Sequence, residues 1–457
     1  MANLPSGNRD SFGSKFGVIA AAAGSAVGLG NIWRFPLVTA QNGGGAFLLL
    51  YIGFIVGIGI PVMLSEFTIG RRAQLNAMGS FKKLAPKTPW FLVGSLGIVT
   101  AFAILAFYST VAGWTIEYLI EALSGKLIHI EDTSQNFAEF STDPVRPVIW
   151  QLLIMFVTGG VVYAGIQKGI EKFTKILMPV LVVLIGLVVV RAVSLPGAGE
   201  GVKYLFFPDW SAVNFKTVLM ALGQAAFSLS IGMGTLITYG SYIQKDNHLL
   251  STASTVALAD TFIAIMSSLM VIPAIFAFTT GGIDNMSPGP GLVFEVLPNV
   301  FKAMPGGVIF AAVFFFLLTV AALTSTISVL EVVVAYLKEE MNMTRAKATV
   351  IASVSITVLG ILATLSFGVL GDVQLFGKTI FGILDYASAN VMLTFGALFI
   401  VLFVGWKLGK SSFLDEISNE GTIKSGLFKV VFFIIRYIAP VAIGIIAIAA
   451  FFIKGIT

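Results

Sequence analysis

Near its start the chain has an apolar segment that glycine interrupts. The run Gly24–Pro36 reads GSAVGLGNIWRFP, and positions 16 to 33 hold no charged side chain. Because glycine disfavours a helix by about 1 kcal/mol relative to alanine, we expect the helix to unwind here. Unwound backbone at membrane depth is tolerated only where protein buries it or where it lines a wet cavity. The run therefore indicates a binding site near the membrane midplane, as in secondary transporters.

A second apolar segment has the same kind of interruption, reading FSLSIGMG at Phe227–Gly234. Two such breaks that face each other would expose opposite ends of helices. The free N–H groups suit a carboxylate, and the unwound carbonyl groups suit a small cation. A single glycine pair is more often a close helix-packing motif. The hypothesis of a binding site therefore depends on having two breaks at matching positions.

The composition is that of a polytopic membrane protein. Of the 457 residues 57% are hydrophobic and 11% are charged, whereas soluble domains carry about 25% charged residues. Basic loops explain the net charge of +5, so we infer no nucleic-acid partner. The chain has no cysteine and two histidines, which excludes disulfides, thiolate metal sites and a histidine-ligated haem chain. The polar N-terminus has no signal-peptide pattern, so the first apolar segment should remain in the mature protein.

Hydropathy and turn signals predict eleven membrane spans in a single transmembrane transporter domain over 1–457. The breaks fall in the first and sixth spans, which predicts two five-span repeats. Because five is odd, the second repeat would be inverted. Repeat one covers 14–194, repeat two covers 216–406, and an extra helix covers 426–453. The predicted spans are 14–38, 44–70, 90–124, 147–166, 172–194, 216–243, 250–278, 306–339, 346–368, 376–406 and 426–453.

The distribution of basic residues predicts the orientation in the membrane. With the N-terminus inside, the inner segments hold 18 of the 28 basic residues and the outer segments hold 8. The positive-inside rule then predicts a multi-pass protein of the plasma membrane, with a cytoplasmic N-terminus and an extracytoplasmic C-terminus.

Taken together, the motifs resemble the neurotransmitter:sodium symporter family. The run Gly28–Pro36, followed by Asn42–Phe47, is similar to the opening of family members. Bacterial members are sodium-coupled amino-acid transporters. The resemblance therefore implies an all-α integral membrane protein with the LeuT-type five-plus-five inverted repeat and with helices 1 and 6 broken. Further similar segments are Glu66–Arg71, Phe227–Gly234, Ala321–Ser325 and Leu384–Tyr386.

The resemblance also implies two sodium sites. The expected ligands are hydroxyl, amide and carbonyl oxygens, which can replace the water shell of a hard cation. A Thr-Ser pair within a helix more commonly bonds its own backbone, which is the alternative for the second site. The first site would consist of the Ala26 carbonyl, Asn31, Ser228, Asp260 and the substrate carboxylate. The second would consist of the Gly24 and Val27 carbonyls, Ala321, Thr324 and Ser325.

Asp260 departs from the family pattern, because family members often have an amide here and many animal members require chloride nearby. An ionisable residue within an apolar run is a functional candidate by default. Our hypothesis is that Asp260 supplies the negative charge that chloride supplies elsewhere, so chloride is not expected as a cofactor. The alternative is a protonated, structural Asp260 that donates to a carbonyl group.

An uncharged substrate pocket is implied as well. Tyr108 would bond the substrate carboxylate, Phe227 would cover the pocket, and Met233 stands where many relatives have phenylalanine. A charged substrate would be costly to bury here and methionine is adaptable, so we expect hydrophobic or aromatic L-amino acids. For Ile104 and Val329 alone, ordinary core packing is the default interpretation. The remaining expected lining residues are Ser25, Ala26, Leu29, Gly30, Ser228, Ser230 and Ser325.

Two ion pairs are implied as gates. Arg34 and Asp385 would form the outer gate, and Arg9 and Glu339 the inner gate. Exposed ion pairs contribute about 0–1 kcal/mol, which suits contacts that open in every cycle, although each charge could also be a solvated helix end. Glu66 is expected to accept hydrogen bonds from N–H groups that the breaks release. The inner gate would be assisted by Phe12, Ser241 and Tyr242.

The sequence thus favours a sodium-driven amino-acid symporter with alternating access. It would bind two sodium ions and an amino acid within a lipid bilayer, with no obligate protein partner. A channel would need a continuous polar pore, and a transporter-like sensor would usually carry an added soluble domain. An enzyme is not indicated, because no nucleophile–base pair or metal cluster is found.

Overall fold

The computed structural model describes residues 10–278 and 292–452. Within these ranges the protein is helical, and the extended structure is limited to one isolated bridge between Leu375 and Lys378. Nine of the described helices are long and apolar enough to cross a membrane, and one bent pair could make ten. The nine are Gly45–Ala73, Phe91–Leu123, Arg146–Tyr163, Ile166–Val193, Leu249–Ala277, Gly307–Glu340, Arg345–Leu365, Ile380–Leu408 and Leu427–Ala449, and the bent pair is Lys15–Ala26 with Gly30–Gln41.

A divided helix stands where the sixth span is predicted. Its two pieces, Phe215–Ser228 and Thr235–Gly240, have 14 and 6 residues, and a crossing needs about 20. With the nine long helices and the bent pair, it matches the order of the predicted spans. The all-α membrane architecture is confirmed, and eleven crossings remain consistent with it.

The first span breaks where the glycines predict. The helix Lys15–Ala26 ends as Val27 turns to extended backbone, with φ −75° and ψ 103°. The chain then resumes a helical path from Gly30 to Gln41, bent by 55° relative to the first piece. Ser14 caps the start of the first piece by accepting a hydrogen bond from Gly17 N.

In the sixth span the break is made by residues in the left-handed region. Ser230, Gly232 and Gly234 have φ of 54°, 91° and 77°. A β-carbon at Gly232 would lie 2.3 Å from the carbonyl oxygen of Leu393, so the tenth span presses directly on this loop. Glycine is required here by its positive φ and by the close approach.

Hydroxyl and amide side chains bond together the third, fourth and ninth spans within the core. Gln151 Nε2 donates to Ser109 Oγ at 2.9 Å, and Thr364 Oγ1 donates to Gln151 Oε1 at 2.8 Å. The hydroxyl groups of Thr110 and Thr364 form a hydrogen bond of 2.8 Å. Interhelical polar contacts and small residues substitute for the hydrophobic driving force that lipid does not supply.

Shorter helices lie between the spans. Some follow the charged turns of the sequence, such as Ala77–Leu84, whose N-cap Asn76 accepts from Gly79 N. Their limited length suits surface or interfacial positions rather than crossings. The others are Thr133–Thr142, Ala198–Phe206, Leu292–Ala303 and Lys410–Ile417, with short 3-10 turns at Lys126–His129 and Trp210–Ala212.

A buried arginine anchors the end of the second span. Arg71 Nε donates to Glu416 Oε1 at 2.5 Å and its NH1 donates to Asn247 O at 2.6 Å, and both charged side chains are more than nine-tenths buried. Its NH2 donates to Glu416 O and to Asn419 Oδ1. Arg71 therefore joins the second span to the segment after the sixth span and to the helix after the tenth.

We predict that Arg71→Ala strongly destabilises the protein, because it leaves Glu416 buried without its main partner, a loss of about 3–5 kcal/mol. Arg72→Ala is the matched control: Arg72 is one-third exposed and lies 3.1 Å from Asp415 and 3.5 Å from Glu416. It should contribute only about 0–1 kcal/mol, because Arg71 still holds Glu416. The thermal midpoints of both variants in detergent test this. Equal losses for the two neighbours would contradict the proposed role of Arg71.

Candidate functional site

The two breaks lie against each other. Ser230 Oγ, in the sixth-span break, donates to the carbonyl of Ser25 in the first span at 3.0 Å. Leu29 N, freed by the first break, donates to the hydroxyl of Tyr108 at 3.1 Å. The two interruptions and the third span therefore lie directly against one another.

Glu66 of the second span supports the sixth-span break. Its Oε1 accepts from Gly232 N at 2.7 Å, and its side chain is fully buried. The expectation that Glu66 accepts from a released N–H group is confirmed. Because an unpaired buried N–H is costly, this carboxylate is part of what allows the helix to open.

On one side of the breaks, three of the predicted ligands of the first sodium site meet. Asn31 Nδ2 donates to Asp260 Oδ1 at 2.7 Å, and Ser228 Oγ donates to Asp260 Oδ2 at 2.8 Å. All three side chains are at most 2% exposed. Ala26 is the last helical residue before the unwound segment. This is a compact group of oxygen atoms, the ligand type that hard cations prefer.

Tyr51 completes this oxygen cluster, and the sequence did not single it out. Its hydroxyl donates to Asp260 Oδ2 at 2.9 Å and lies 3.1 Å from Ser228 Oγ. With Asn31, Ser228 and Tyr51 all donating, the Asp260 carboxylate is an acceptor within the cluster. A lone tyrosine in an apolar run offers no spacing signal, so only the fold could place it.

The predicted ligands of the second site also converge. Ser325 Oγ lies 3.5 Å from the carbonyl oxygens of both Gly24 and Val27. A β-carbon at Gly24 would come within 3.3 Å of Thr324 Cβ, so the first and eighth spans are in close contact. The hydroxyl of Thr324 donates to the carbonyl of Ala321 at 2.9 Å, the local bond that the alternative interpretation expects, and its oxygen lone pairs stay available.

Phe227 covers the first break. Its Cε1 would lie 2.9 Å from a β-carbon at Gly30, so only glycine admits the ring in this position. The hydroxyl of Ser25 is buried and has no hydrogen-bond partner among the described residues. The expected apolar lining residues Ile104, Met233 and Val329 are buried as well. The expected lining residues are therefore shielded from solvent, and they include a buried hydroxyl that a small polar molecule would satisfy.

The expected outer gate is not engaged in this structure. In the described part of the chain, Arg34 and Asp385 form no ion pair within 4.0 Å, and Asp385 is exposed. The guanidinium of Arg34 instead lies over the Phe227 ring, 4.6 Å from its centroid. Such a cation–π contact contributes about 0.5–2 kcal/mol.

At the N-terminal side the protein is closed. Phe12 is 2% exposed and packs edge-on against Tyr239 and Tyr242, with ring centroids 5.6 and 6.1 Å away. Phe12 N also donates to Tyr242 O at 3.2 Å. Ser241 Oγ donates within its own helix turn to Thr238 O at 2.5 Å. The aromatic packing of Phe12 therefore helps to close this end.

For the expected inner gate, Arg9 lies outside the described residues. Glu339 is described, and its Oε2 accepts from Asn76 N at 2.6 Å and from Asn76 Nδ2 at 3.0 Å. Glu339 thus joins the eighth span to the cap of the helix that follows the second span.

A second charged group at this end has no assigned role from the sequence. Glu331 is fully buried and binds Arg345 by two contacts, at 2.5 Å to NH2 and 3.2 Å to NH1. Tyr242 OH donates to Glu331 Oε1 at 2.7 Å, and Arg345 Nε donates to Val162 O at 2.9 Å. The signal available in the sequence was an ionisable residue within an apolar span, but the partners are far apart in the chain.

Comparisons with known proteins agree with this geometry. The chain matches the "Sodium:neurotransmitter symporter family" over residues 9–146 and 132–455. A sodium-dependent transporter of Bacillus subtilis, YhdH, is 40% identical, covering 95% of this chain and 96% of its own. The sodium-dependent serotonin transporter of Drosophila melanogaster is 28% identical over 95% of this chain and 75% of its own.

The fold has a solved counterpart in MhsT, crystallised in complex with L-phenylalanine. It superposes with a TM-score of 0.89 at 46% identity, over 97% of this chain and all of the MhsT chain. The protein is therefore a LeuT-type multi-pass membrane transporter that depends on sodium, and not an enzyme. The chain belongs to the sodium:neurotransmitter symporter family.

Proposed function

We propose that this protein takes up hydrophobic or aromatic L-amino acids by coupling them to two sodium ions in an alternating-access cycle. The observation that carries the proposal is the pair of oxygen clusters beside an enclosed, uncharged region between two broken helices. The complex of MhsT with L-phenylalanine supports the substrate class. A zwitterion can bind at helix breaks without charged side chains, because the ends of the helix dipoles and the free main-chain N–H and C=O groups complement its two charges.

In the first sodium site the ion binds Asn31, Ser228, Asp260 and the Ala26 carbonyl, and the substrate carboxylate completes its shell. Support comes from the 2.7 and 2.8 Å contacts that already gather the three side chains. An ion shared with the substrate makes each raise the affinity for the other, as linkage requires.

The second sodium ion binds between the first and eighth spans. Its ligands are the carbonyls of Gly24, Val27 and Ala321 and the hydroxyls of Thr324 and Ser325. Because this site joins a broken span to an unbroken one, an ion there favours the closed arrangement of the first span. Two charges crossing 100 mV supply roughly 4.6 kcal/mol, which corresponds to an amino-acid gradient of about a thousandfold.

The amino acid lies where Tyr108 and Phe227 meet the first break. Its carboxylate accepts from the Tyr108 hydroxyl, its amino group faces carbonyls of the break, and the Phe227 ring closes over it. Ser25, Leu29 and Gly30 contact the backbone portion of the substrate. The substrate side chain lies among Ile104, Ser230, Met233, Ser325 and Val329.

Alternating access follows from two inverted five-span repeats, with the N-terminus cytoplasmic and the C-terminus extracytoplasmic. Arg34 approaches Asp385 as the outer side closes, and Arg9 separates from Glu339 as the inner side opens. The packed Phe12 at the inner end and the separated Arg34 and Asp385 at the outer end support an arrangement that is shut on the inner side and not yet sealed on the outer side. No protein partner is needed for this cycle.

The proposal is tested by measuring amino-acid uptake into proteoliposomes. Uptake under an inward sodium gradient is compared with uptake under an inward potassium gradient. Saturable, sodium-dependent uptake of L-phenylalanine, L-tryptophan and L-leucine is expected, with little competition by glycine, L-lysine or L-aspartate. Counterflow of labelled substrate should occur, which a channel does not support. Equal binding of substrate in potassium-only buffer would contradict the proposal.

Asp260 is expected to make transport independent of chloride. Replacing chloride with gluconate should change the uptake rate by less than about twofold, because the Asp260 carboxylate supplies the negative charge beside the sodium ion. Asp260→Asn should raise the half-saturating sodium concentration about tenfold, since a charge-assisted contact is roughly twice as strong as a neutral one. Asp372→Asn, at an exposed position, is the control. Loss of wild-type uptake in gluconate would refute the role of Asp260.

Gly28→Ala should lower sodium-dependent uptake about tenfold or more, because overpacking typically costs about 1–3 kcal/mol. The new β-carbon would lie 2.5 Å from Ser325 Oγ and 3.1 Å from the Tyr108 hydroxyl. Gly53→Ala is the matched control, since no atom lies within 4 Å of a β-carbon there. Normal uptake by the Gly28 variant would argue against a closely packed site at this break.

A further inference from the structure

One arginine within a membrane span, Arg436, lies among aromatic rings and beside no carboxylate in the part of the chain that the structure describes. Arg436 lies in the last apolar helix, seven residues after Lys429, about 10 Å along a helix. Among the described residues its guanidinium forms no ion pair or hydrogen bond, and its Nε is buried without a partner. An arginine in a span usually pairs with another side chain, and an unpaired one costs about 2.5–3.5 kcal/mol at the bilayer centre.

Two π-helical turns hold Arg436 in place. Phe403–Leu408 belongs to the tenth span and Ile434–Ile438 to the last one, and the two turns pack together. A β-carbon at Gly405 would lie 3.0 Å from Cα of Arg436, so the backbones approach closely. Isolated π turns are frequently found at functional positions in helices.

Aromatic side chains frame the guanidinium. It lies 4.5 Å from the Trp406 ring centroid and 5.5 Å from that of Tyr437, and the two rings meet edge-on at 6.0 Å. Trp406 Nε1 donates to Arg436 O at 3.2 Å, which puts Arg436 level with the end of the tenth span. Tryptophan and tyrosine gather at the level of lipid headgroups, so the guanidinium is within reach of that layer.

The surface around Arg436 lies on the outside of the helix bundle and carries basic side chains. Trp406 and Tyr437 are 58% and 47% exposed. Three exposed lysines lie nearby in the chain on the same membrane side, at Lys407, Lys410 and Lys429. No acidic residue occurs between Phe403 and Lys410 or between Leu427 and Phe452. These two segments therefore present positive charge without a balancing negative charge.

We propose that Arg436, with Trp406 and Tyr437, binds the phosphate of an anionic phospholipid in the leaflet on the Lys429 side. Guanidinium and phosphate match in bidentate geometry. The neighbouring lysines favour a headgroup with net negative charge over a zwitterionic one. The acyl chains lie along the exposed apolar face of the last helix beyond Arg436, which includes Val441, Ile445 and Ile448. This binding is independent of the transported substrate.

The test uses the purified full-length protein in neutral detergent at constant sodium. Its thermal midpoint is measured with added phosphatidylglycerol, phosphatidylcholine or inorganic phosphate. Phosphatidylglycerol should raise the wild-type midpoint above the value in phosphatidylcholine, and inorganic phosphate should not. An equal rise with inorganic phosphate would overturn the lipid as ligand.

Arg436→Gln should need about fivefold more phosphatidylglycerol for the same rise, the effect of one basic side chain near the lipid surface. Arg191→Gln is the control: Arg191 also lies over an aromatic ring, at 5.8 Å from Phe310, but at the end of the fifth span. The control should keep the wild-type response. An unchanged response in Arg436→Gln would refute the proposal.

If Arg436→Gln yields no folded protein, Trp406→Leu replaces it, with a weaker but parallel loss of the phosphatidylglycerol response expected. The size-exclusion volume is recorded for every variant. A dimer that dissociates in Arg436→Gln while the lipid response stays unchanged would mean that a second copy of the chain covers this surface, which would also overturn the proposal.

Discussion

The structure depends on one constraint: main chain that leaves the helix inside a bilayer must find polar partners within the protein. Each break meets this constraint with side chains from other spans. The Glu66 carboxylate accepts from Gly232 N, the Tyr108 hydroxyl accepts from Leu29 N, and Ser230 donates to the Ser25 carbonyl. The groups left over by this pairing, carbonyl oxygens and hydroxyls, are the ones that we propose as ligands of the ion and the zwitterion. Structural necessity and binding capacity therefore arise from the same residues.

The two sides of the membrane are held differently. On the N-terminal side, Phe12 fills an aromatic pocket, and Glu331 with Arg345 and Tyr242 forms a buried, fully paired group. On the opposite side, the Arg34 guanidinium lies over the Phe227 ring and forms no ion pair with Asp385. Removing one partner of a buried ion pair is costly because it leaves a buried charge unpaired, whereas an exposed ion pair contributes little. The N-terminal side is therefore held more firmly than the opposite side in this structure.

The arginines of this chain illustrate how membrane depth governs charge. Arg71 and Arg345 are satisfied by carboxylates that the fold brings to them. Arg436 has aromatic faces and no carboxylate within the described residues. Because an unsatisfied cation in hydrocarbon is costly, a partner outside the chain is the natural complement. The contrast separates arginines that pair with carboxylates inside the fold from the one for which we propose a lipid partner.

The sequence by itself determined the helical membrane class, the order of the spans and the two breaks, because apolar length and glycine punctuation are local properties. The family motif also led to Asn31, Ser228 and Asp260, and the structure brings these three together. Tyr51 and Arg345 could not be found in this way. Contacts between residues far apart in the chain carry no periodic signal. Only tertiary packing decided that a tyrosine of the second span meets Asp260, that Glu331 pairs with Arg345, and that the Arg436 guanidinium has no polar partner among the described residues.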